Sequence, residues 1–290
     1  MTELEFYGSG KKVRLPSSWN EMSAEQIRFV FRTYEECRRK GASPLDFNVR
    51  VLYHLLGIRR RLPSWRLTET LCENVYRLCE QCLGFLFDDS GSRLALSFKG
   101  IENPLPVIRV GWFCRLYGPG TLCQDLTFGE FRLASAALNR FFKTSDPSDL
   151  DECIRHLYRP AARQLNLAGR RVRPLGPDGS PSELKRVARI PSWQKNLVMC
   201  WFSACLKHLQ KEKIILSGEE IEMSLLFSGD SEKVKATESF TWTDLLVQIA
   251  RDGSVGNMDR VDREPLFSII HIMWSNYKEN KRYEKTTKAK

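Results

Sequence analysis

What this chain lacks narrows its chemistry first. No stretch approaches the ~20 apolar residues of a membrane span; the longest apolar run of the second half, Leu197–Leu206, holds ten residues and is broken by Ser203. The opening Met1–Glu5 is acidic and has no apolar signal region, so secretion and a membrane partner are not expected. Histidine is scarce. His54, His156, His208 and His271 each fall inside a predicted helix, and none has a second histidine three to five residues away. A local metal or acid–base motif is therefore missing. Gly8-Ser9-Gly10-Lys11 fails as a phosphate loop, because Glu5 stands where its first glycine belongs and Lys12 replaces the Ser or Thr. No nucleophile elbow occurs. Neither an enzyme nor a cofactor is expected.

Cysteine is present but in the wrong pattern for disulfides. The nine thiols are an odd number scattered from Cys37 to Cys205, several in apolar surroundings such as Trp201 and Phe202. They read as reduced, buried small hydrophobes of a cytosolic protein. Cys79-Glu80-Gln81-Cys82, preceded by Cys72, has the spacing of half a zinc knuckle. The other half is absent, and positions 72, 79 and 82 share one helical face with Val75 and Leu86. Core packing is the expectation, with no metal.

Charge is unevenly spread. Of the net +10, seven positive charges lie in the 37 residues Arg159–Lys195, where nine Lys or Arg face only Asp178 and Glu183. Five prolines and three glycines punctuate the same stretch and interrupt helix and strand alike. Residues 159–191 thus read as a basic linker or surface loop between an N-terminal α-rich domain, 1–158, and a C-terminal helical domain with a basic tail, 192–290. A cationic segment implies an acidic partner, either nucleic acid or an acidic protein face. The candidate contacts are Arg170, Arg171, Arg173, Lys185, Arg186 and Arg189, with Lys281, Arg282 and Lys285 of the tail. Trp193 is the sole aromatic of the stretch, which gives base stacking little support.

The fold class reads as mainly α with minor β. Leu4, Phe6, Val13 and Leu15 around Gly8-Ser9-Gly10 predict an N-terminal β-hairpin. Ser23 to Gln26 and Thr127 to Glu130 are capping boxes opening amphipathic helices. Each is followed about twenty residues later by a proline that starts a second helix, Pro44 and Pro147. A looser third copy runs from Thr241 to Pro265. These helix–loop–helix units match no standard repeat period. Val107–Leu116 leans to β, and Leu266, Ile269, Ile270, Met273 and Tyr277 form the apolar stripe of a closing helix.

Leu116-Tyr117-Gly118-Pro119, Leu126–Phe131, Leu157-Tyr158-Arg159-Pro160 and the block from Trp242 carry a family likeness. A Trp-led helix ending in Ile249-Ala250, a glycine loop, and Pro265-Leu266 before a helix with a charged tail resembles small α-rich tail-region assembly proteins of bacterial phages and prophages. The likeness covers the last 50 residues. It implies a non-enzymatic role in virion assembly through contacts with other phage structural or assembly proteins, in the bacterial cytoplasm or the virion. The alternative from the residues themselves is a nucleic-acid-binding accessory protein using the basic segment and tail.

Overall fold

The structure is a computed structural model that describes residues 1–6, 11–58, 69–87, 96–112, 114–173, 181–216, 218–227, 242–253 and 255–288. It is mainly helical with minor strand, and it opens with an antiparallel β-hairpin of β1 (Thr2–Phe6) and β2 (Lys11–Leu15). The expected turn at Gly8–Gly10 lies outside the described residues. Among the described residues no helix is long and apolar enough to cross a membrane.

The chain divides into two compact units, each built from two separate stretches: Met1–Gly100 with Pro191–Ala204, and Ile101–Ile190 with Cys205–Lys290. This grouping differs from a division at 158 and 192. The described parts of 159–190 belong to the second unit, where they form a strand, a helix and part of the core.

The first unit centres on α1 (Ala24–Lys40), α2 (Pro44–Leu55) and α3 (Glu69–Leu83). The Ser23 hydroxyl accepts from the Gln26 amide while the Gln26 side chain accepts from the Ser23 amide, so the expected capping box forms. Gly41 ends α1 in the left-handed region at φ 62°, which glycine enters without a Cβ penalty. Trp19 anchors the core, its ring 5.0 Å from Phe98 and 6.0 Å from both Phe31 and Phe85. Cys79 and Cys82 are buried free thiols, and burial raises both pKa values. The side chain of Cys72 lies outside the described residues. Helix α7 (Ser192–Lys211) contributes buried Leu197, Val198, Trp201 and Phe202 to this unit. Glu35 of α1 accepts from the Ser192 hydroxyl at 3.0 Å.

The second unit packs α4 (Phe128–Thr144) against α5 (Pro147–Leu157). Thr127 and Glu130 form the second capping box, and Pro147 at the first turn of α5 occupies a position where its missing N–H costs nothing. A three-stranded antiparallel sheet runs in the order β3 (Val107–Val110), β4 (Cys114–Tyr117), β5 (Arg159–Pro160). The single β-leaning stretch expected at Val107–Leu116 is therefore a hairpin, turned at Gly111 with φ 67°. Ile108, Val110 and Leu116 face the core.

Helix α6 (Pro181–Ala188) buries Val187. Strands β6 (Lys213–Leu216) and β7 (Glu219–Glu222) make a second hairpin, followed by α8 (Met223–Phe227). Helices α9 (Trp242–Asp252), α10 (Met258–Arg263) and α11 (Leu266–Lys288) complete the unit. Thr241, the expected cap of α9, lies outside the described residues. Trp242 meets Phe131 edge-on at 4.8 Å, and Leu266, Ile269 and Ile270 of α11 are fully buried.

Candidate interaction surface

The cations of the basic segment divide into two groups with opposite environments. Arg159, on β5, is 2% exposed, and Arg170 is 5% exposed. Glu130, equally buried, sits at the third position of α4 and pairs with both, 3.5 Å from Arg170 Nη1 and in direct contact with Arg159 Nη2. Arg170 also donates to the carbonyls of Tyr117 at 2.9 Å and Leu157 at 3.0 Å, and its Nε lies 3.6 Å from Asp125. Arg159 donates to the Arg173 carbonyl at 2.8 Å. Burial first, then the like charge of Arg170, lowers the pKa of Arg159; arginine starts so high that it stays charged at neutral pH.

Arg170 is thus no surface contact. Its Nη2 is taken up by two carbonyls of its own unit and its charge is paired with Glu130 and Asp125, as a buried arginine requires compensation from within.

The remaining expected contacts lie in varied settings. Arg171 and Arg173 are exposed on either side of buried Val172, which bridges to Ala161. Lys185 and Arg189 are exposed, whereas Arg186 is half-buried beside a cavity of about 10 Å³ that Arg155, Arg159 and Glu183 also line. On α11, Arg282 is exposed, Lys281 is half-buried with Nζ 5.6 Å from the centre of the Tyr277 ring, and the side chain of Lys285 is outside the described residues. The basic tail continues as helix to Lys288.

Sequence reasoning passed over one cationic group. In the β3–β4 hairpin, Arg109 stands directly opposite Arg115, and the next outward pair is Val107 opposite Tyr117. Both arginines are exposed and Tyr117 is half-buried. Trp112 at the turn is 96% exposed. The signal was available as a glycine-tryptophan turn between two short β runs, but these residues lie about fifty positions before the basic segment, and only the sheet brings β4 beside β5. No carboxylate among the described residues comes within ion-pair distance of Arg109, Arg115, Arg163, Arg171, Arg173, Lys185 or Arg189.

Two of the histidines are held in place by packing. His54 stacks on Phe29 with ring centres 3.7 Å apart, and burial lowers its pKa. His156 is buried, with Nε2 3.5 Å from Glu152 and 3.4 Å from Arg155. Burial, then Arg155, pulls its pKa down to about 4, so it is neutral at physiological pH. Among the described residues no group of three or more His, Cys, Asp or Glu is placed to hold a metal ion. In the first unit a groove of about 370 Å³ lies between α1 and α2 beside Arg32, Arg50, Tyr53 and His54; its rim at Ile58 adjoins residues 59–68, outside the described set.

Comparison with protein-family models, curated proteins and solved structures finds no significant match.

Proposed function

We propose that the protein works by binding rather than catalysis, and that its partner is nucleic acid held through phosphate contacts on the second unit. The observation that carries this reading is the set of exposed arginines and lysines without carboxylate partners, drawn from the β3–β4 hairpin, the 163–173 segment and α6. Exposed cations without carboxylate partners raise the local potential, and a polyanion relieves it by releasing its condensed counterions. The buried arginines support the reading indirectly. Glu130 and Asp125 neutralise charge in the interior, so the outer cations remain uncompensated.

The rival is assembly of a phage-like particle through protein contacts. Trp242, Ile249 and Leu266, which carry the likeness to phage tail-region proteins, are buried. They report how helices pack, not what the surface meets. The test is fluorescence anisotropy with a labelled oligonucleotide across a salt series. Binding that weakens steeply with salt, and weakens less steeply once Arg171, Arg173, Lys185 and Arg189 are changed to glutamine, supports the proposal. Absence of binding at low salt refutes it.

A further inference from the structure

Resting on that reading, we infer that the β3–β4 hairpin receives a single strand, with Trp112 stacking on a base while Arg109 and Arg115 hold backbone phosphates. Three observations meet there. Trp112 is 96% exposed, although an indole gains more than most side chains from leaving water. Arg109 and Arg115 are direct cross-strand partners, and like charges in that position oppose the pairing of their strands. An anion seated between them removes the repulsion. Tyr117 lies on the same outward face, two residues beyond Arg115, or about 7 Å along the strand. The face thus presents the half-buried Tyr117 beside an arginine pair, and the exposed Trp112 stands at the turn that joins the two strands.

This order of groups favours a single strand over a duplex. Bases within a duplex already stack on one another and hide their faces, so an exposed ring at a hairpin tip has nothing to receive. Unpaired bases can splay out and stack on aromatic side chains, while neighbouring cations track the backbone. Stacking requires only a π-face, so little sequence preference is expected.

The probes are fluorescein-labelled oligothymidylate of twenty nucleotides and a duplex of equal length, titrated with the full chain at fixed salt. Single strands should bind at least tenfold tighter. Trp112→Ala should weaken single-strand binding roughly 5–150-fold, the factor that corresponds to one base stack, and Trp112→Phe should recover most of it. Thermal melting should be unchanged in both variants because the side chain is exposed. Changing Arg109 and Arg115 together to glutamine should reduce the salt slope by about 1.4, two phosphates at 0.7 each. If nucleic acid binds with a steep salt slope but Trp112→Ala has no effect, or the duplex binds equally well, the hairpin inference falls and the phosphate-binding reading stands. If neither probe binds, both fall. If polyglutamate binds through Trp112 instead, both fall in favour of an acidic protein partner.

Discussion

Replacing Glu130 by alanine tests whether the basic segment is folded by its own electrostatics. The substitution leaves Arg159 and Arg170 in the interior with less compensation. Arg170 keeps Asp125 at 3.6 Å and two carbonyls, whereas among the described residues Arg159 keeps the Arg173 carbonyl as its hydrogen-bond acceptor. Removing one partner of a buried ion pair costs about 3–5 kcal/mol, and losing the capping-box acceptor for the Thr127 amide adds about 0.5–1. For a unit of this size each kcal/mol lowers the melting temperature by roughly 2–4 °C, so a fall of roughly 7–24 °C is expected in the second unit. Calorimetry measures it, and hydrogen exchange on peptides from α4, α5 and residues 159–173 assigns it to the right unit.

The double variant Glu130→Leu with Arg159→Met should recover at least half of the loss, because an apolar pair of similar volume avoids the desolvation penalty. A loss below about 1 kcal/mol, or a double variant no better than the single, would refute the argument that Glu130 holds the segment in place.

Two further outcomes follow from crowding and titration. A Cβ at Gly118 would lie 2.3 Å from Tyr158 Cε1 and 2.5 Å from Cζ, and that ring is pinned by its hydroxyl donating to Leu105 O at 2.9 Å and Asn103 Oδ1 at 3.1 Å. Gly118→Ala should therefore cost about 1–3 kcal/mol in denaturant unfolding, and a neutral result would mean that the Tyr158 pocket yields. Below its ordinary pKa of 6.5 the unfolded state binds a proton at His156 that the folded state, with a pKa of about 4, does not. Stability should thus fall as pH drops from about 6.5 towards 4, and His156→Phe should flatten that slope; an unaltered slope would show that His156 is not its source.

The elements most legible in the sequence were those fixed by local chemistry. The boxes at Ser23 and Thr127 name their own helices because the residues that satisfy the first amides lie within four positions of one another. The apolar stripe of α11 is periodic, and its burial at Leu266, Ile269 and Ile270 follows from that. The basic segment misled because charge was counted without direction. Arg159 and Arg170 lie in the interior beside Glu130, about thirty and forty residues earlier and buried on the neighbouring helix, and no local pattern records such a partner. The arginine pair of the hairpin was hidden for a related reason. Arg109 and Arg115 become neighbours through strand register, and Trp112 becomes conspicuous only once its turn is known to face solvent.

The interleaved build of the two units constrains synthesis of the chain. Residues 1–100 lack Leu197, Val198, Trp201 and Phe202, which their core buries, so this unit cannot close when its first stretch leaves the ribosome. At translation rates of about 5–20 residues per second, the missing helix follows roughly 5–20 s later. During that interval the nascent first unit exposes the apolar surface that α7 will cover, while the next ninety residues emerge beside it. Cutting the gene at residue 100 or 190 should yield insoluble halves, and the full chain should depend on chaperones that shield unfinished cores.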